Sequence, residues 1–352
     1  MKKNQLIRLI CFSLCVLTVV CFLCHVFHYD KARMRNPVLT YAKLEKNTID
    51  TVLIGTSGIH CSYIPGRAYD KYGITTYNCT IDGMRAWGVL PMMKYVLRYQ
   101  KPQLMIMDMR PFIDSGDSTY NEQRSRYFNE IFPVFSYFRF IGVNQSLKYL
   151  SQLDENTGRF DMSYLFNVVR YHDMWQDTLS FSVLKNSYAY TFGFRLNKGE
   201  LSTKTIPESA YSDERLDLLW YSEECLDEVI EYAEKKGVQL LFINTPMTIT
   251  EERAKRMNTI HDKLDSFGIP YIDFCTKSGE EQYHFDKSED FRDKSHTNYT
   301  GAKKVTDIVA QYVLDNYDVP DRSNDPSCDY YKDAYEQTVN EIKRLKKAVS
   351  SS

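Results

Sequence analysis

Asp50-Thr51-Val52-Leu53-Ile54-Gly55-Thr56-Ser57-Gly58 is a short apolar run that stops at a Gly-Thr-Ser-Gly turn. It reads as a first β-strand delivering a serine to the top of a sheet. Downstream, strand-like and helix-like segments alternate, as they do in a parallel sheet with crossover helices. Strands are expected over Gly73 to Cys79, Gln103 to Met109, Val238 to Ile243 and Pro270 to Phe274. The third, with Leu104, Met105, Ile106 and Met107 in unbroken succession, fits burial on both faces. Helices are expected over Trp87 to Tyr99, Glu223 to Lys236 (ended by Gly237), Glu252 to Phe267 and Ala302 to Tyr317, the last with Val305, Ile308, Val309, Tyr312 and Val313 at helical spacing. This is an α/β chain without internal repeats.

In open sheets of this kind ligands bind beyond the carboxyl ends of the strands. That rule gathers Ser57 after the first strand, Asn78 and Gly83 after the second, Arg110 after the third and Asn244-Thr245-Pro246 after the fourth. Far along the chain, Asp293-Lys294-Ser295-His296 brings a carboxylate and an imidazole three residues apart, ahead of the last core helix. A serine hydroxyl becomes a useful nucleophile once an imidazole takes its proton, and a carboxylate orients and stabilises the imidazolium. Each half alone also reads as ordinary structure, a strand-to-turn junction or a helix cap.

Taken together and in this order, these residues resemble the SGNH (GDSL-like) hydrolase superfamily. Within it they resemble the membrane-anchored branch related to bacterial cell-surface O-acyltransferases and to the D-alanyl-lipoteichoic acid protein DltD. The resemblance covers roughly Asp50 to Phe112 and Val238 to Tyr317. It implies a three-layer α/β/α sandwich around a mainly parallel, flavodoxin-like sheet, with Ser57 as nucleophile, His296 as base and Asp293 as its orienter. It also implies an oxyanion hole, for which Ser57 and Gly83 match, with Asn78 nearby. The third expected element departs: Asp108-Met109-Arg110-Pro111 stands where a Gly-x-Asn-Asp block is usual, and Thr56 stands where Asp is frequent. Arg110 either donates to an oxyanion or an anionic substrate, or forms a structural ion pair with Asp108. The substrate implied is a surface glycan or teichoic acid carrying O-acetyl or D-alanyl groups. A membrane-bound O-acyltransferase is the implied acyl-supplying partner, and the rival reading is a non-catalytic assembly or glycan-binding protein.

Composition narrows the remaining classes. With 352 residues and 43% hydrophobic content the chain can bury a sizeable core, and a net charge of −2 provides no field to gather nucleic acid. The 27 tyrosines suit either a carbohydrate-stacking surface or an aromatic core. No cofactor or metal is expected: Cys61, Cys79, Cys225, Cys275 and Cys328 lack Cys-x-x-Cys spacing, although Cys61 and Cys79 lie where a disulfide between them is conceivable. His60 reads as a structural histidine or as a group at the mouth of the site. His172, His261 and His284 stand in no motif.

Leu9 to Phe27 is apolar apart from Ser13, Thr18 and His25, about the length that crosses a hydrocarbon core. No small-x-small cleavage site follows, which favours a membrane anchor contacting lipid through residues 9–27 over a signal peptide. Lys2, Lys3 and Arg8 are nearly balanced by Lys31, Arg33 and Arg35, so charge barely decides orientation; the resemblance implies an extracytoplasmic catalytic domain. Residues 1–35 are therefore read as anchor and flanks, and 36–320 as the catalytic domain, opening with a polar connector over Asn36 to Lys46. Within it, 113–221 is an aromatic-rich, mostly helical insertion that acts as a lid or as a passive packing layer. Residues 321–352 read as a linker and a charged helix, Tyr330 to Val349, solvated or drawn to anionic headgroups.

Overall fold

In a computed structural model, which describes residues 3–27, 35–156, 158–171, 191–196 and 198–350, the chain begins with helix α1 (Lys3–Val26). Its span Lys3–Cys24 is long and apolar enough to cross a membrane, and its most apolar window is unburied. The supposed connector opens instead with helix α2 (Arg35–Tyr41). Val38 and Tyr41 are apolar enough to pack: both are fully buried, and the hydroxyls of Tyr77 and Tyr95 donate to the Pro37 and Val38 carbonyls at 2.6 and 2.7 Å.

The alternation then runs as anticipated. Strand β1 (Thr51–Gly55) is followed by α3 (Ser57–Ser62) and α4 (Pro65–Tyr72), β2 (Thr76–Thr80) by α5 (Ala86–Tyr99), and β3 (Leu104–Asp108) by α6 (Arg110–Ile113). After α7 (Ser118–Ile131), α8 (Tyr137–Leu153) and α9 (Val168–Tyr171), the series resumes with α10 (Trp220–Lys236), β4 (Gln239–Asn244), α11 (Glu251–Ser266), β5 (Tyr271–Asp273) and α12 (Lys277–Tyr283). A small antiparallel pair, β6 (Phe291–Asp293) and β7 (His296–Thr297), precedes α13 (Tyr299–Asn316) and α14 (Tyr330–Ser350).

Strands β1 to β5 form one sheet in the order β2-β1-β3-β4-β5, every neighbouring pair parallel. Side chains alternate between its faces as a strand's period of two requires. Val52, Ile54, Tyr77, Met105, Met107 and Phe242 join the cluster under α5 and α10, while Leu53, Ile106, Leu241 and Ile243 join the one under α13. Each such side chain contributes about 1.5–3 kcal/mol when fully buried, so the doubly covered sheet is the stable frame.

Among the described residues, the α-helices of the insertion ahead of α10 end at Tyr171. After residues 172–190, which lie outside the described residues and include His172 and Tyr188 to Tyr190 of the aromatic stretch, the chain turns at Phe192 and Gly193, makes one 3-10 turn at Lys198–Leu201 and bonds to its neighbours. The Phe192 carbonyl accepts from Asn78 N at 2.9 Å, and Lys204 N donates to the Phe291 carbonyl at 2.8 Å. The C-terminal segment is also no solvated tail. Arg322 donates to both carboxylate oxygens of buried Asp50 at 2.8 and 3.0 Å, and fully buried Tyr331 stacks on Phe192 with centroids 4.1 Å apart. Its hydroxyl donates to Thr76 O at 2.7 Å, so α14 and the Phe192 segment cover the free edge of β2.

Candidate active site

β1 carries its chain to the serine through a turn locked by the neighbouring strand. Thr56, extended at φ −99°, caps α3 by accepting from Gly58 N at 3.2 Å. Its own hydroxyl and N–H donate to Asp108 Oδ2 at 2.5 and 2.9 Å, and Asp108 Oδ1 accepts from Arg110 N at 3.0 Å. Burial pushes the Asp108 carboxyl up, opposed by the Arg110 charge and these hydrogen bonds. Ser57 thus begins a short helix whose first turn is fixed by β3.

The expected base arrives on the β6–β7 hairpin, where Asp293 and His296 are cross-strand partners. His296 Nδ1 lies 2.9 and 3.1 Å from the two Asp293 oxygens, and His296 Nε2 lies 2.8 Å from Ser57 Oγ. The hairpin is pinned to α3 by Thr297, whose hydroxyl donates to Ser62 Oγ at 3.0 Å, and the Ser295 N–H fixes Asp293 Oδ1 at 2.8 Å. Burial, helped by the Arg110 and Arg292 charges, lowers His296 to about 4 against the pull of Asp293. Burial alone would raise Asp293, yet its hydrogen bond to His296, the imidazole charge, the Ser295 N–H and Arg292 bring it down to about 2. At neutral pH a neutral imidazole therefore sits between a hydroxyl and an ionised carboxylate, ready to accept a proton.

These groups open onto a cavity of about 380 Å³ that Gly83 also lines. Gly83 holds φ +65°, which a side chain would disfavour, with Tyr120 and Arg124 crowding the position a Cβ would take. Asn78 is not part of the cavity lining. β2 continues to Thr80, so Asn78 sits mid-strand opposite Leu53, and its amide donates to Tyr63 O at 2.9 Å. That places it as a buried link between β2 and the loop after α3.

Arg110 does reach the cavity. Its terminal nitrogens donate to Ser295 O at 2.9 Å and Thr245 O at 3.1 Å, tying the hairpin of His296 to the end of β4, while Nε is buried without a hydrogen-bond partner among the described residues. Among the described residues no ion pair joins Asp108 to a guanidinium. Gly58 makes room for this group, since a Cβ there would fall 2.6 Å from Arg110 Cζ. Thr245, from the segment after β4, contributes through its carbonyl; Asn244 turns away to Asp273 at 2.9 Å.

His60 is structural. It is wholly buried, with Nδ1 3.1 Å from Thr80 Oγ1 and Nε2 3.1 Å from Asp82 Oδ1, and so braces the loop that presents Gly83. His261 stacks on Tyr271 and lies 3.0 Å from Asp273; His284 ends α12 at φ 52°. Among the described residues, which include all nine cysteines, no disulfide forms. Cys79 faces the α5 side of the sheet whereas α3, with Cys61, packs on the other, so the sheet separates the pair.

The rim holds groups that sequence patterning missed. Tyr120 and Arg124 from α7, Arg195 from the segment after Gly193 and Arg253 from α11 line the cavity with Asp82 and Asp114. Arg253 pairs with Asp114 at 2.6 Å, and Arg124 sits over the Tyr120 ring at 4.9 Å. The one available signal is Asp117, whose carboxylate caps α7 and puts Tyr120 and Arg124 one turn apart on the same helix face. The others come from separate segments with no shared spacing. No protein-family model matches the sequence, and no curated protein matches it significantly.

Proposed function

We propose that this chain is a membrane-anchored, SGNH-like serine acyltransferase or esterase acting on O-acyl groups of an extracytoplasmic polysaccharide or teichoic acid. The observation that carries the reading is the continuous relay from Asp293 through His296 to Ser57, with contacts of 2.9 and 2.8 Å. The strand order 2-1-3-4-5, that of flavodoxin-like doubly wound sheets, and the position of Ser57 beyond the end of β1 support the superfamily resemblance. In place of the usual Asp beside the serine, Thr56 borrows a carboxylate from Asp108 on the adjacent strand.

Ser57 Oγ attacks the acyl carbonyl as His296 Nε2 takes its proton, and Asp293 stabilises the imidazolium. Negative charge on the carbonyl oxygen is met by backbone N–H donors at Ser57 and Gly83. The donor alkoxide leaves with the proton from His296, giving acyl-Ser57. A sugar hydroxyl or water, deprotonated by His296, then attacks this ester and frees the serine. Transfer to a hydroxyl makes the chain an O-acyltransferase, with a membrane-bound O-acyltransferase as acyl supplier; transfer to water makes it an esterase. The anchor and the resemblance favour a surface polymer, and four arginines against two aspartates along the cavity lining suit an anionic one.

A fluorophosphonate probe tests the nucleophile. Covalent labelling that disappears in Ser57→Ala is expected; an unlabelled, folded chain would overturn the catalytic reading. Transfer of acetyl to an oligosaccharide in preference to water separates transferase from esterase. A non-catalytic, glycan-binding role is favoured by one observation, that Arg110 in the departing Asp108-Met109-Arg110-Pro111 block spends both terminal nitrogens on backbone carbonyls. That role predicts glycan binding unchanged in Ser57→Ala.

A further inference from the structure

At the opposite end of the sheet from Ser57, where β3 and β4 begin, a groove is lined by Lys94, Arg98, Lys101 and Lys236 together with Tyr137 and, among the described residues, by no acidic side chain. Beside it the loop and helix start after α7 expose large apolar side chains: Phe135 and Phe140 are 59% and 66% exposed. Phe135 holds φ +65°, a conformation that bulky residues avoid, and its ring meets Phe166 at 5.6 Å. The surface continues through Phe160, Met162 and Val169, each 53% exposed. The carboxylate among them, Asp161, is paired with Arg126 at 3.1 Å.

This surface abuts the end of α1. Asn167, between Phe166 and Val169, donates to the Cys24 carbonyl at 2.9 Å and to the Phe27 carbonyl, and Cys24 and Phe27 are themselves buried there. Arg139, one residue before Phe140, donates to Tyr164 O at 2.9 Å and lies 3.4 Å from Asn167 Oδ1, so insertion and helix end are one hydrogen-bonded block. Exposed aromatics joined to cationic side chains at the end of a membrane-length helix match the composition of the bilayer interface, where rings sit at headgroup level and cations meet anionic lipid.

We infer that this face is a second membrane contact: the aromatics enter the bilayer interface and the groove of Lys94, Arg98, Lys101 and Lys236 takes the phosphate of an anionic lipid headgroup. The inference rests on α1 being a membrane anchor, not on the chemistry of Ser57. Its consequence is orientation. α7 runs from the cavity rim at Tyr120 to the Phe135 loop, and its 14 residues span about 21 Å at 1.5 Å each. The mouth of the site then faces away from the bilayer, toward a polymer rather than toward lipid tails.

The test uses the full chain in phosphatidylcholine vesicles brominated on the acyl chains, with and without phosphatidylglycerol. Phe140→Trp, Phe160→Trp and, as a control beyond the carboxyl ends of β4 and β5, Tyr211→Trp are compared with the parent chain. Flotation first confirms that α1 has inserted in each. The added emission at positions 140 and 160 is expected to fall roughly twofold, since interfacial apolar faces lie about 5–10 Å deep, while position 211 is unquenched. Quenching is expected to strengthen with phosphatidylglycerol and to lose that dependence when Lys94, Arg98, Lys101 and Lys236 are changed to Gln together. Absence of quenching at 140 and 160 with α1 inserted overturns the membrane contact and leaves a protein partner as the occupant. Quenching indifferent to phosphatidylglycerol overturns the headgroup assignment.

Discussion

Two histidine–aspartate pairs lie close to the same cavity, and they have opposite fates. His296 and Asp293 sit on a surface hairpin, and the second ring nitrogen of His296 faces the Ser57 hydroxyl at 2.8 Å. His60 and Asp82 are 3.1 Å apart, but His60 is fully buried and its other nitrogen is spent on Thr80. Burial lowers the pKa of both imidazoles. Pairing with a carboxylate is common to both; the proposed role of His296 rests on its second nitrogen facing the Ser57 hydroxyl at the cavity. His60 instead spends its hydrogen bonds on the loop bearing Gly83.

The contrast breaks first at the relay. His296→Ala should lower acyl-ester hydrolysis by about 10⁴-fold or more with the folded state intact, as measured by turnover alongside thermal unfolding. Asp293→Asn comes next, roughly 10³–10⁴-fold, because the ring loses its orienting partner while Ser57 keeps its place. His60→Ala should behave differently in kind. Stability drops by on the order of 2 kcal/mol as Asp82 and Thr80 lose a buried partner, and turnover falls by about tenfold as Gly83 loosens. The acid limb of its kcat/KM profile should stay where it is in the parent; a displaced limb would make His60 part of the proton relay.

The pH dependence carries the smallest effect. With His296 lowered to about 4, kcat/KM rises as pH increases through that value and is level at neutrality. For stability the sign follows from a folded pKa below the unfolded value of about 6.5. The contribution is present above that value and is lost as pH falls from about 6.5 toward about 4. It amounts to about 2 kcal/mol between pH 7 and pH 5, measurable as the difference in urea unfolding between the parent and His296→Asn.

Legibility followed the range of the forces involved. The strands and crossover helices were readable because burial on two faces demands continuous apolar runs, as in Leu104 to Met107, and because Gly237, at φ +64°, stops a helix locally. Asn78 misled because a strand's end is set by its neighbours: β2 pairs with β1 as far as Thr80, leaving Asn78 mid-sheet. Helix α2 was hidden because its seven residues are too few for a helical repeat to show, and Val38 and Tyr41 find partners on β2 and α5, far along the chain. The C-terminal helix resembled a tail for the same reason, since the aromatic stack of Tyr331 on Phe192 joins segments far apart in the chain.

The order of strands and helices, the apolar span at the amino terminus and the chemical identities of Ser57, Asp293 and His296 were written in the sequence, because each depends on residues adjacent along the chain. The tertiary structure alone decided which carboxylate locks the Thr56 turn, which arginines surround the cavity and which histidine is left with a nitrogen to offer. Those outcomes depend on contacts between segments up to 239 residues apart, such as Ser57 with His296, and local spacing carries no information about them.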